Sequence, residues 1–264
     1  MKLLADYHVH SEYSHDSITP MERQAKQAVK LGLSELCFTD HMDYYDGEDC
    51  SRYFAEIDKV RQAFAGKLVI RAGWEFGLQS HTIPDFEELY SRYGDKLDFV
   101  LLSIHEVDDM DLWGHQYQHG KSQAKYTMGY YEELLRVIQA YHDYSVLAHV
   151  DLIARYDVKY GISPYPFAKI RDIVAEILTT AIADGKGIEL NTSSWRYGLT
   201  DTTPSREILE LYRDLGGEIF TLGSDAHNPD YLASHFEEGR EILRDLGFRN
   251  FCTFEKMMPE FHPL

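Results

Sequence analysis

Two histidines separated by one residue, His8 and His10 in the run DYHVHS, place two imidazoles on one side of an extended strand, because side chains alternate with a period of two. That geometry suits a metal ion. Further His, Asp and Glu residues follow in short clusters: Asp40 and His41 in TDH, Glu75 in GWE, His105 in SIH, His149 and Asp151 in AHVD, and Asp225 and His227 in SDAH. Taken singly, each has an ordinary structural explanation. TDH and SDAH are what turns and helix N-caps use, Glu75 fits a salt bridge, and His105 or His149 fits a hydrogen-bonded core. Imidazole and carboxylate without thiolate suit Zn, Mn, Fe or Co. Nine or so such ligands are too many for one ion, so two or three divalent ions sharing a bridging carboxylate is the economical arrangement.

What positions these residues is a repeat of short apolar runs and longer amphipathic stretches, the pattern of βα units around a parallel sheet. The expected strands are Leu3–Tyr7, Glu35–Thr39, Leu68–Ala72, Asp98–Ser103, Ser145–Ala148, Gly187–Leu190 and Glu218–Leu222, with a weaker eighth near Asn250–Thr253. Helical patterns span Met21–Leu31, Ser51–Ala65, Ala124–Tyr141, Pro166–Ala183 and Ser205–Leu215, with Pro20 and Pro204 at tolerated N-terminal positions. Seven or eight units suggest an α/β barrel. Six of the seven better strands end in the clustered residues, and in such a barrel the C-terminal strand ends converge on one face, where active sites are built. Coincidence explains one cluster, not the ordered set. The irregular stretch from Glu106 to Gln123 is long enough to read as functional.

A chain of 264 residues with 44% hydrophobic content can bury a large core, and with no linker or repeat it reads as a single domain over residues 1–264. A net charge of -18 argues against nucleic acid as a partner. Cys37, Cys50 and Cys252 are an odd count without a CxxC pair, which argues against a disulfide framework. The run MKLLADYHVH is too short in apolar residues for a signal peptide, and no stretch approaches a membrane span, so the expectation is a cytoplasmic protein without a membrane partner. Oligomeric state is not legible.

The motifs DYHVHS, TDH, GWE, SIH, AHVD, ELNTS and GSDAH, in that order along essentially the whole chain, resemble the PHP family, named for its polymerase and histidinol-phosphatase members. HVDLIAR and ELNTSSWR are similar to the histidinol-phosphatase branch. The resemblance implies a distorted, TIM-like (β/α)7 barrel and a centre of two or three divalent ions, Zn, Mn or Fe. It implies that His8, His10, Glu75 and Asp225 hold the first ion, that Glu75 bridges to a second held by His105 and His149, and that His41 and His227 hold a third. The third ion also needs a ligand from the loop after His10; Asp16 is favoured, with His15 beside it as the alternative.

The chemistry so implied is phosphomonoester hydrolysis, with L-histidinol phosphate as the small-molecule substrate, placing the chain in histidine biosynthesis. On that reading a metal pair would acidify a bridging water, and the resulting hydroxide would attack phosphorus without a covalent intermediate. Glu75, Asp225 and His227 are the catalytic candidates, and Arg155 and Arg196 would clamp the phosphate with forked donors, alongside Ser193 and Glu106 at the substrate. The ordinary reading of the arginines is carbonyl capping or pairing with the abundant acids. Acids and aromatics of the 106–123 stretch, including Glu106, Asp111, Trp113 and Tyr117, would suit the cationic organic half. Glu106 and Trp195 depart from the family pattern and bear on specificity. The rivals are a phosphatase for another ester such as phosphotyrosine, an amidohydrolase, and a metal-binding module without turnover.

Overall fold

The computed structural model describes residues 4–43 and 50–264. The strands are β1 (Ala5–Val9), β2 (Glu35–Asp43), β3 (Val69–Gly77), β4 (Phe99–Ser103), the small pair β5 (Glu106–Val107) and β6 (Met110–Asp111), then β7 (Val146–Leu147), β8 (Gly187–Asn191), β9 (Phe220–Gly223), β10 (Asn250–Glu255) and β11 (Met258–Pro263). The helices are α1 (Met21–Leu31), α2 (Cys50–Ala63), α3 (Ile83–Tyr93), α4 (Gln123–Ala140), α5 (Leu152–Lys159), α6 (Arg171–Ala183), α7 (Arg206–Asp214) and α8 (Phe236–Asp245). Seven strands form one parallel sheet in the order β1-β2-β3-β4-β7-β8-β9. The sheet curls until its ends meet: Val9 bridges Ala226, His10 N–H donates to the Ala226 carbonyl (3.0 Å), and Ala226 N–H donates to the His8 carbonyl (3.3 Å). This is the expected seven-stranded barrel.

The expected eighth strand is not part of it. Asn250–Glu255 pairs antiparallel with Met258–Pro263, and this hairpin packs at the N-terminal strand ends, where Met257 N–H donates to the Asp98 carbonyl and Tyr7 exchanges hydrogen bonds with Phe254. An apolar run read without its partner does not reveal which sheet it joins. The first expected strand starts at Leu3, which lies outside the described residues. Helices α3, α5 and α8 were not expected; α5 is short and carries buried Arg155 and Asp157, which break its apolar pattern.

Alternation places side chains on two faces of the sheet. On β3, Trp74 points outward to Tyr53, Phe54 and Tyr93, while Glu75 points inward. Parallel register sets His41 beside Glu75, and Glu75 beside Leu101. Among the described residues no helix is long and apolar enough to cross a membrane.

Candidate metal centre

Glu75 is the hub. It is 1% exposed, and its two carboxylate oxygens divide five imidazoles between them. Oε2 lies 3.3 Å from His8 Nε2, 3.6 Å from His10 Nε2 and 3.0 Å from His41 Nδ1. Oε1 lies 3.2 Å from His105 Nε2 and 2.8 Å from His149 Nε2. Asp225 Oδ1 stands across from the same β1 pair, 3.8 Å from His8 Nε2 and 3.6 Å from His10 Nε2. Asp16 Oδ2 lies 2.9 Å from His227 Nε2 and 3.6 Å from His41 Nε2, whereas His15 is exposed, 3.9 Å from Asp43 and with its ring 5.2 Å from that of His41. All nine residues read from the sequence as ligands therefore meet at one end of the barrel.

The donor set fits divalent ions. His8 Nε2, His10 Nε2, His41 Nδ1, His227 Nε2 and Glu75 Oε2 are buried without a hydrogen-bond partner, although most have a charged group within 4 Å: they are close, but not aimed as donor and acceptor. Buried polar atoms left so cost free energy unless something else binds them. Three of the close groupings of candidate ligand atoms are His8, His10 and Glu75; Glu75, His105 and His149; and His10, His41 and His227. His10 also stacks on His227 with ring centroids 4.0 Å apart. Two of the ligand residues carry backbone strain: His149 and Asp225 have φ of 25° and 54°, a region that side-chain-bearing residues avoid.

Charge is shared across the cluster. Burial would raise the Glu75 and Asp225 carboxyls, yet the surrounding imidazoles hold both well below the ordinary carboxylate range. Burial would lower His8, but Glu189, Glu75 and Asp225 carry it well above the usual value. His10 goes the other way, driven down by burial and by His227 and His41.

Two residues that sequence reading missed complete the arrangement. Glu189, on β8, accepts from His8 Nδ1 at 2.6 Å and from His149 N–H at 3.0 Å, fixing the imidazole whose other nitrogen faces Glu75. Its signal was a lone acid inside an apolar strand. Asp43 Oδ1 lies 3.1 Å from His105 Nδ1, and Asp43 groups with His41 and His105. It stands two positions after His41, the same spacing as His8 and His10. Asp40, inside β2, and Asp151, after β7, face elsewhere: Asp40 accepts from Ser11 and Ser14 and ties down the loop that carries Asp16.

The centre lies in a cavity of about 830 Å³. Arg155 lines it, 5% exposed, donating to Asp225 Oδ2 (3.0 Å) and Ser193 Oγ (2.7 Å). Asp225 thus turns one oxygen to the histidines and the other to arginine. Arg196 and Ser193 do not line the cavity; Arg196 donates to the Ser224 and Asp225 carbonyls and lies over Tyr231. Glu106, Asp111, Trp113, Tyr156 and Tyr197 form the outer wall.

Such a barrel with such a centre defines a class, and comparison with known proteins gives the same one: a PHP domain model matches residues 6–193, and the chain belongs to the PHP family. Within it, the likeness is to histidinol-phosphatases. The histidinol-phosphatase of Lactococcus lactis is 32% identical over 96% of this chain and 94% of its own length. A probable histidinol-phosphatase of Thermotoga maritima is 28% identical over 94% of this chain and 93% of its own. The Lactococcus lactis crystal structure, which holds zinc, L-histidinol and phosphate, superposes with a TM-score of 0.82 at 28% identity, covering 97% of this chain and 98% of that one.

Proposed function

We propose that the chain is a metal-dependent histidinol-phosphatase, hydrolysing L-histidinol phosphate to L-histidinol and phosphate, with all 264 residues forming one catalytic unit. The observation that carries this reading is the ring of imidazoles around Glu75 at the floor of a cavity whose wall adds one buried arginine, acids and aromatics. The Lactococcus lactis relative, with zinc, L-histidinol and phosphate in its structure, supports both metal and substrate.

His8, His10, Glu75 and Asp225 would hold one ion, Glu75 with His105 and His149 a second, and His41, His227 and Asp16 a third. Bound divalent ions supply Lewis acidity toward phosphate oxygens and an acidified water as the nucleophile. The protein's own groups do the rest. Arg155 faces the cavity with its guanidinium held by Asp225 and Ser193, so positive charge is fixed where the phosphate must sit. Glu106 and Asp111 at the wall complement an ammonium or protonated imidazole, and Trp113, Tyr156 and Tyr197 give its ring apolar faces. An odd count of buried cysteines, with no CxxC pair, fits a reducing compartment such as the cytoplasm.

The test is phosphate release from L-histidinol phosphate beside p-nitrophenyl phosphate and phosphotyrosine, using metal-loaded protein, His8→Ala and Asp225→Asn. A marked preference for histidinol phosphate, lost in both variants, is the expected result. Equal rates on all three esters would leave the metal chemistry and remove the substrate assignment.

A further inference from the structure

A second cavity, of about 470 Å³, lies behind α5 and shares no lining residue with the metal centre's cavity. Helix α5 is the wall between them. Leu152, Arg155 and Tyr156 face the metal side, and Ile153, Ala154, Asp157 and Val158 face the other. The volume falls within the range of small-molecule sites.

Its chemistry is one-sided. The acids Asp151, Asp157, Asp201 and Glu207 line it, and no Lys, Arg or His does. Three of them have local work: Asp157 accepts from Tyr126 and Gln123, Asp201 from the N–H groups of Thr202 and Arg206, and Asp151 Oδ2 from Ser205 N–H at 2.8 Å. Asp151 Oδ1 is left over. The residue is 5% exposed, and that oxygen has no hydrogen-bond partner; Thr127 Oγ1, on the α4 wall and 1% exposed, has none either. An unpaired carboxylate oxygen in such surroundings carries a large desolvation cost, which a positively charged donor relieves best. The remaining wall combines hydroxyls, Ser163, Thr200, Thr202 and Ser205, with apolar and aromatic faces, Tyr131, Tyr165, Phe167 and Ile208 among them.

We propose that this cavity is a second binding site, for a small organic cation: an ammonium group on an apolar or aromatic body, its N–H groups on Asp151 Oδ1 and Thr127 Oγ1 and its body against Tyr165 and Phe167. The site is independent of the reaction assigned to the metal centre, and its ligand lies one helix away from Arg155.

The probe is 2-phenylethylamine, titrated calorimetrically into metal-loaded protein saturated with inorganic phosphate, beside its neutral isostere 2-phenylethanol. The expected result is one amine bound per chain, with the alcohol at least tenfold weaker. Asp151→Asn, which keeps an acceptor for Ser205, and Ala154→Leu, which fills the cavity from α5, should each weaken the amine at least tenfold, while His8→Ala leaves its affinity unchanged. Should Asp151→Asn fail to fold, Ala154→Leu decides alone. No amine binding, equal affinity for the alcohol, or binding lost in His8→Ala and kept in Ala154→Leu would overturn the proposal.

Discussion

Glu189 touches His8 and the His149 backbone but lies one bond beyond the open positions of the centre, so its role is to orient an imidazole and hold its tautomer. Glu189→Gln keeps the size and loses the charge. It should weaken metal affinity by roughly 10- to 100-fold, visible as a shifted midpoint when p-nitrophenyl phosphate hydrolysis is titrated with metal, with the rate recovering at excess metal. Arg155→Lys tests a different role. A lysine cannot reach Asp225 and Ser193 together as the guanidinium fork does, so KM for phosphate esters should rise by about tenfold or more. An unchanged KM would make Arg155 a support for Asp225 only. At this scale the sequence was most informative for residues that bear their chemistry openly. The histidines, Glu75 and Asp225 were legible because they punctuate apolar strands. Asp43 and Glu189 were not, because an acid near a strand end has many ordinary uses, and only the folded distances to His105 and His8 separate them from those.

At the scale of elements, β8 and β9 must approach closely for Glu189 to reach His8, and Gly223 is where they do. A β-carbon on Gly223 would fall 2.0 Å from Glu189 Oε1, which must then leave its place, and 2.6 Å from the His8 β-carbon, a contact no rotamer change relieves. Gly223→Ala should therefore cost about 1–3 kcal/mol in stability and displace the Glu189–His8 pair, so that urea unfolding and metal affinity change together. A variant as stable as the parent and equally avid for metal would show that the strands separate freely. The barrel strands were legible for the same reason as the histidines: a parallel strand buried on both faces is a short, unbroken apolar run. The eighth candidate read identically, yet it joins a hairpin, because sheet membership depends on distant partners. Helix α5 escaped notice since both its faces line cavities and carry polar groups, leaving no simple apolar stripe.

At the scale of the molecule, six imidazoles and three carboxylates gathered at the barrel end have few partners other than one another, so bound metal should stabilise the whole fold. With free metal at about 1,000 times its dissociation constant, linkage contributes roughly 4 kcal/mol, and at about 2–4 °C per kcal/mol for a chain of this size, chelation should lower Tm by roughly 10 °C. Calorimetry with and without chelator measures this directly, and an unchanged Tm would mean that the folded chain binds the ions no better than the unfolded one. The closure of the barrel between β9 and β1 bears on when such ions can enter. The closing contacts join Val9 to Ala226, and Asp6 to Ser224 across 218 positions of sequence. His8 and His10 therefore wait, through the synthesis of nearly every other element, for the segment that brings Asp225 and His227. Ion loading is thus a late event in the life of the nascent chain, and a ribosome-bound intermediate would offer only scattered histidines to the cell's metal pool.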